Sequence, residues 1–600
     1  MALRNMQRQK LFSFINISGL AIGIACCLLV LLFIQHELSY DMFHKNADCI
    51  YKVGTKMLIR DSWRRFPNSE TASPVGPAMV DEFPEVVNTV RVTTNVAQKV
   101  LFRDKGNSFY EDGFYAADPN FFEFFKFPLV SGDPKTVLDD PHAIVITEEI
   151  AQKYFGREDP IGKTFSATGY RSRNQINYEF TVTGVMKNIP ENSHLQFNIL
   201  GSLLGADSVY DLLNWDFWPV ASLHTYVLLG ENSSSAELQN KLWMSFENNL
   251  KRSEGSYEQR LFIEPLSAVH RTPEVTKYIY VIFTIALVIL LIACINFTNL
   301  STARSLTRAK EIGIRKVVGA NRFQLIKQFI GESVLFSLCA FVIVLILAKL
   351  LLPVFNSLVG KNLQLEIFRD PLFIAASVGI ALFVGVLSGS YPALFISAFK
   401  PVSVFKGHSK SGSRRHHFKN ILVVFQYAVS VFFIIGTIIT YNQMHFILHK
   451  DLGFDREQIL NISLSEKLSK DQLETIKYRI AENPDIANVT YSSSLPFSGR
   501  LNLFAYPEEV TERDLEKLIL IDVIYCDYDF MATLGIEIIE GRDFSREHPS
   551  DLTEAFIINE PAAEAYNLDS PLGRKIKYGD TGGGFGICTV IGIMKNFHNE

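Results

Sequence analysis

Charge is scarce in this sequence. Asp, Glu, Lys and Arg supply 20% of its 600 residues, against 48% hydrophobic ones, and mean hydropathy is +0.13. A soluble domain is about 25% charged, so some segments must be almost purely apolar. A surplus of positive charge is missing as well: 58 basic against 63 acidic residues leave a net charge of −5, and nucleic acid is not an expected partner. Cysteine is sparse. Cys26, Cys27, Cys294 and Cys339 fall inside apolar runs, where a thiol packs as a small group. Cys49 stands alone, and whether Cys526 and Cys588 pair is a matter of geometry that sequence does not supply.

Chemical motifs are absent too. FGREDPIGKTF ends like a phosphate-binding loop, at Gly162, Lys163 and Thr164. That loop requires four residues between its glycines, and Gly156 and Gly162 enclose five. A second copy of the segment, SPLGRKI, keeps only the Pro-x-Gly turn, so a turn is the expectation. His416 and His417 sit in a basic stretch and His44 lies near Asp41, without a second cluster at metal-ligand spacing. Ser, His and Asp occur without a nucleophile-elbow context. No catalytic, cofactor or metal site is expected in this chain.

What the sequence does contain is five bilayer-length apolar runs, at 11–34 and about 278–300, 329–352, 371–395 and 421–441. Three basic clusters fix their orientation. Arg4, Arg8 and Lys10 precede the first run, and Arg304 to Arg322 follow the second. Lys400 to Lys419 lie in a basic linker, 401–420, between the fourth and fifth. Simple alternation places all three clusters on one side, so the amino-terminal segment 1–10 is cytoplasmic. Large segments at 35–277 and 442–600 then lie outside. Glu332 and Lys349 sit toward the two ends of the third span, where a long stem can snorkel. The middles of the spans hold no ionisable group, which argues against a secondary transporter. Gly19 and Gly23, with Ala21 and Ala25 nearby, let helices approach closely.

The outer segments repeat each other. YAADPNFFEFFKFPLVSGDP, AIVITEEIAQKYFGREDPIGKTF and FTVTGVMKNIPENSH align with YCDYDFMATLGIEIIEGRDF, AFIINEPAAEAYNLDSPLGRKI and CTVIGIMKNFHNE. Tyr115 pairs with Tyr525, Gly132 with Gly541, Pro160 with Pro571, Gly162 with Gly573 and Gly184 with Gly592. The offsets stay between 408 and 411, which marks duplication. Each copy reads as a β-rich run, a helix, a Pro-x-Gly turn and a closing strand. The expected fold is therefore an α-helical membrane protein with two duplicated α+β extracytoplasmic domains. Three spans follow the first outer domain, so a complete chain is expected to carry three more after the second, eight in all.

The segment STARSLTRAKEIGIRKVVGANRFQLIKQF follows the second span. On a helix, Arg304, Arg308, Glu311, Arg315 and Arg322 share one face, and Glu311 precedes Arg315 by four. Ile314, Val317 and Val318 form an apolar stripe, and Gly319 with Asn321 reads as a stop. A plain lipid anchor would not need an ordered charged stripe beside an apolar one, so a protein-docking helix over 304–321 is favoured.

EIGIRKVVGA, spanning Glu311 to Ala320 with Gly313 and Lys316 inside it, resembles the signature of the FtsX-like and MacB-like permeases of the ABC superfamily. The opening ALRNMQRQKLFSFINISGLAIGIACCLL is similar to that family's start. SGSYPALFISAFKPVSVFKG resembles the inner loop of its long duplicated members. The resemblance implies two MacB-type periplasmic core domains, at 35–277 and 442–600, and an FtsX-like permease unit at 278–400. It also implies a separate cytoplasmic ATPase that binds ATP and Mg, contact with membrane lipid, and a dimeric or pseudo-dimeric assembly in the inner membrane. A periplasmic adaptor or cell-wall partner is further implied. Family roles include efflux of drugs or peptides, lipoprotein release and control of cell-wall hydrolases, coupled to ATP hydrolysis by mechanotransmission. A non-transporting scaffold or sensor is the alternative.

The agreement of span parity with basic clusters generates a test. A cysteine placed at Ser234 is expected to react with an impermeant reagent in intact cells, and one at Ser411 is not. Labelling of Ser411 would reverse the topology.

Overall fold

The computed structural model describes residues 10–597, apart from 60–61, 66–69, 95–99, 105–106, 112, 172–173, 206–222, 246–258, 308–313, 365–370, 398–412, 451, 456–457, 463, 465–467, 496–501, 509–518, 567–569 and 581–583. The chain divides into two compact units. One is a membrane body of Met1–Phe43, Pro190–His194 and Ser267–Leu448; the other gathers the outer segments His44–Ile189, Leu195–Leu266 and His449–Glu600.

Five helices in the body are long and apolar enough to cross a membrane: Lys10–Leu38, Pro273–Thr307, Arg322–Val359, Pro371–Ser397 and Ser413–His449. They coincide with the five runs but are longer. Hydropathy sees only the apolar middle of a helix, whereas its hydrogen bonds continue until a cap stops them. The third span begins at a capping box of Asn321 with Gln324 and ends at Gly360, whose φ of +64° suits glycine.

With no charge in their middles, these helices are held by shape and by hydroxyl groups. A Cβ on Gly23 would lie 2.6 Å from the Ala293 Cβ, so the first and second spans cross at van der Waals contact; at Gly19 the same position is open. Gly389 and Gly385 play that part between the fourth and third spans, where added Cβ atoms would meet Ser333 Cβ at 2.6 Å and Val334 Cα at 2.7 Å. The Ser337 hydroxyl donates to the Ala381 carbonyl at 2.6 Å, and Thr298 to that of Ser388 at 2.9 Å. The fifth span differs: none of its most apolar window is buried among the described residues.

Among the described residues the first outer domain has a 13-stranded sheet and the second a six-stranded one. The sequence repeat is a repeat of register. Ala143–Thr147 runs parallel to Asn174–Met186, pairing Val182 with Ile144 and Gly184 with Val145 across a bulge. Ala555–Asn559 runs parallel to Gly584–Met594, pairing Val590 with Phe556 and Gly592 with Ile557 across the same bulge. A bulge leaves an extra residue that a crowded edge must accommodate. Glycine does so here: a Cβ on Gly184 would come within 2.5 Å of Val137, and one on Gly592 within 2.5 Å of the Arg542 carbonyl. Gly132 and Gly541 have φ of +107° and +83°, and Gly162 and Gly573 +76° and +80°.

The turn after Pro160 and Pro571 is built identically. Gly162 N–H donates to the Val182 carbonyl and Gly573 N–H to that of Val590, both at 2.8 Å. Lys163, the residue that mimics a phosphate-loop lysine, pairs with Glu158. Thr147 and Asn559 cap the following helices through their side chains.

One sequence pairing changes. Asp118 N–H bonds to the Arg91 carbonyl and Asp527 N–H to that of Tyr491, which aligns Asp118 with Asp527 and sets the Tyr115–Tyr525 pairing one residue out of step. The repeat also reaches further upstream, where Asn88 and Asn488 each accept the next residue's N–H, at 2.9 and 3.0 Å. Cys526 and Cys588 are both free thiols.

Candidate functional site

Two junctions in the membrane body concentrate the polar groups that the spans exclude. The first is where the first span ends. Glu37 is only 4% exposed. Its carboxylate accepts from His270 Nε2 at 2.8 Å, just ahead of the second span, and lies 3.7 Å from Nζ of Lys361, just beyond the third. Lys361 also donates to the Tyr40 hydroxyl at 2.6 Å, and the Tyr40 ring stacks on His270 at 3.4 Å. Three helix ends are thus tied through one carboxylate. Burial works against the Lys361 charge, but the Tyr40 hydroxyl and the Glu37 carboxylate outweigh it and hold its pKa above the ordinary lysine value.

The strap Pro190–His194 joins this cluster from the chain of the first outer domain. Asn362 donates its side-chain N–H to Glu191 at 2.6 Å and its backbone N–H at 3.0 Å, which holds the Glu191 carboxyl below its usual range. Asp41 is fully buried in a left-handed conformation, φ +61°, that aspartate tolerates better than most residues. It receives the His194 backbone N–H at 3.0 Å, and its own N–H donates to the Asn192 carbonyl at 2.8 Å. The only hint of this junction in sequence is Glu37, the first acidic residue after a charge-free run.

The second junction lies between the second and third spans. The second span's helix continues to Thr307, so Arg304 is helical; Arg308, Glu311 and Gly313 lie outside the described residues. Helix resumes over 314–317, and Gly319 at φ +103° turns the chain into the Asn321 cap. The cations here face inward to fixed partners. Arg315 donates to the Gln328 side chain at 3.1 Å, Lys316 to the Ser397 carbonyl at 2.7 Å, and Arg322 to the Ser397 hydroxyl at 3.3 Å. Partial burial and then the neighbouring Arg322 charge push the Lys316 pKa down.

The apolar side chains are instead exposed: Ile314 55%, Val317 70%, Val318 82% and Phe323 72%. These four side chains form an exposed apolar ridge beside the anchored cations.

Residues 13–243 of the chain match the family description MacB-like periplasmic core domain, and 283–401 match FtsX-like permease C-terminal. Among curated proteins, the macrolide export ATP-binding/permease protein MacB of Neisseria meningitidis is 22% identical over 411 residues, 67% of this chain and 59% of that protein. MacB of Bdellovibrio bacteriovorus is 29% identical over 123 residues, 20% of this chain and 18% of that one. The chain thus spans less than two thirds of the length of these relatives. Of solved structures, a permease-protein domain from Porphyromonas gingivalis aligns at 21% identity and a TM-score of 0.31, over 37% of this chain and 91% of that one. The periplasmic region of MacB from Actinobacillus actinomycetemcomitans aligns at 15% identity and a TM-score of 0.27, over 38% and 94%.

The carboxylate junction makes a pH-dependent prediction. A raised folded-state pKa means that Lys361 stabilises the protein fully below the unfolded lysine value, about 10.4, and loses that contribution as pH rises through the folded value. Lys361→Met is expected to lower the melting temperature in detergent at pH 8. The loss stays below the about 3–5 kcal/mol of a fully buried broken pair, because the Lys361 side chain is 25% exposed. Melts followed by intrinsic fluorescence should show the gap between variant and wild type narrowing above about pH 10.5. A gap independent of pH would contradict the assignment.

Proposed function

Because the chain belongs to the FtsX- and MacB-like permeases of the ABC superfamily, we propose that it is the transmembrane subunit of an ATP-driven complex of the mechanotransmission type. In this reading a separate cytoplasmic subunit binds ATP and Mg and hydrolyses the nucleotide. The amino terminus lies inside, the outer domains lie in the periplasm, and their movement performs export or other periplasmic work.

The observation that carries the reading is the exposed ridge of Ile314, Val317, Val318 and Phe323. Covering one such side chain fully stabilises a contact by about 1.5–3 kcal/mol. Lys316 and Arg322, both bonded to Ser397 at the end of the fourth span's helix, tie that ridge to the body. A push on the ridge is therefore delivered to the third and fourth spans together. In this reading Glu311, four residues before Arg315 in the sequence, contributes to partner choice more than to affinity. The charge-free span middles support this reading over one in which a coupling ion crosses the bilayer.

Val317→Asp buries an unpaired carboxylate in the proposed contact, a costly change. It is expected to abolish association with the ATPase subunit, while Glu311→Arg weakens coupling and leaves insertion normal. Pull-down of the ATPase and its turnover in reconstituted membranes, normalised to inserted protein, measure both. If both variants bind and stimulate as wild type does, the ridge is a lipid anchor and the chain reads better as a scaffold or sensor.

A further inference from the structure

The fourth span carries a proline inside its helix: Pro392 lies within Pro371–Ser397. A proline there has no N–H for the carbonyl four residues back, and its ring crowds that carbonyl. The carbonyl concerned is that of Ser388. In lipid a freed carbonyl finds no water and is satisfied by a neighbouring side chain. The Thr298 hydroxyl of the second span donates to it at 2.9 Å, and both residues are buried. A hydroxyl inside a helix commonly turns back to its own backbone. Thr302 does so to the Thr298 carbonyl at 2.7 Å, and Ser333 to that of Phe329 at 3.0 Å. Thr298 crosses to another helix instead. Ser337 also crosses, to the Ala381 carbonyl, but Gly385 four residues on keeps an N–H for that position. Only at Ser388 does the crossing hydroxyl stand in for a missing helix bond.

The helix is fastened differently on the two sides of this break. Before it, Gly385 and Gly389 hold the fourth span against Val334 and Ser333 of the third. After it, Ala393 is fully buried with Leu325 and Phe329 at the start of the third span. Ser397 takes Lys316 on its carbonyl and Arg322 on its hydroxyl. Residues 393–397 therefore form one small body with the start of the third span. For that body to turn, the third span must give at the same level. Gly331 stands there, since a Cβ on Gly389 would lie 3.5 Å from the Cα of its neighbour Ile330. A Cβ on Gly331 would meet nothing within 4 Å among the described residues, so packing does not call for glycine. What glycine does in a helix interior is loosen it relative to alanine.

We propose that Pro392 and Gly331 form a paired hinge and that the Thr298 hydroxyl is its clasp. Hinges are a few residues that absorb backbone change between stiff pieces. One piece here is the start of the third span with 393–397; the other is the glycine-packed remainder of the same two spans. While Thr298 holds the Ser388 carbonyl, the break is fixed in one arrangement. Releasing that bond lets the carbonyl reorient and the end body turn. Thr298 is thus a positioning residue, acting through the fourth span. What turns the hinge rests on the proposed function, in which an ATPase subunit pushes on the ridge; the hinge itself does not.

The test uses the whole chain alone in lipid nanodiscs, without its native cysteines. Spin labels at Ala376 and Leu394, both exposed, flank the break and stand about 27 Å apart along a straight helix. Pulsed electron resonance reads the width of their distance distribution. Thr298→Val removes the hydroxyl and keeps the shape, and is expected to widen the distribution at least twofold. Thr298→Ser keeps the hydroxyl and should retain the unsubstituted width, a rescue that a purely packing role would not give. Pro392→Ala restores an N–H to the helix, so adding Thr298→Val to it should change nothing. Gly331→Ala, which meets no neighbour, should remove at least half of the Thr298→Val broadening. An unchanged width in Thr298→Val, or equal broadening with and without Pro392→Ala, would overturn the clasp. Broadening that Gly331→Ala leaves intact would overturn the pairing. The Thr298 variants read the clasp even if Pro392→Ala fails to insert. Loss of ATPase binding, measured separately, would sink the proposed function and leave these widths untouched.

Discussion

The absence of charge from the middle of the bilayer-length helices is the constraint on which the rest of this protein depends. Without ion pairs or a hydrophobic driving force between lipid-immersed helices, cohesion must come from close approach. Gly23 against Ala293, Gly389 against Ser333 and Gly385 against Val334 supply it, with the Ser337 and Thr298 hydroxyls bonding across the crossings. Such contacts tolerate little adjustment, because packed interfaces switch between discrete arrangements and do not deform continuously. A body built this way moves as a few stiff pieces.

The charges excluded from the middle are found at the ends, where they make the joints. Glu37 gathers His270 and Lys361, and so ties the ends of three spans. The strap 190–194 brings the chain of the first outer domain into that junction through Glu191 and the backbone around Asp41. At the other junction, Lys316 and Arg322 are fastened to Ser397, leaving the apolar ridge free to be covered. Among the described residues, the polar chemistry of these two junctions fastens elements to one another.

Much of this was legible in the sequence, for physical reasons. Five apolar runs are long because the bilayer is thick, and a glycine recurring at Gly184 and Gly592 marks a bulge that admits no Cβ. Other parts were not. The Glu37 junction joins residues more than three hundred positions apart, and no local period announces that. The upstream part of the repeat, Asn88 with Asn488, is hard to see because few residue types around it are shared, Pro84 with Pro484 among them. The one-residue slip at Tyr525 arose because identical residue types were aligned where the hydrogen bonds align Asp118 with Asp527. The length of each helix was underestimated, since caps such as Asn321 with Gln324 lie in polar sequence.

The proposed function asks these fastened span ends to carry nucleotide events at the ridge to the outer domains. The direct measurement is the distance between spin labels at Glu231 and Asp485, one in each outer domain. It would use a variant lacking the native cysteines, reconstituted with the proposed ATPase subunit. Pulsed electron resonance should show the distance distribution shifting when ATP is trapped on the ATPase, and returning after release. An unchanged distribution in a complex that hydrolyses ATP would contradict the account.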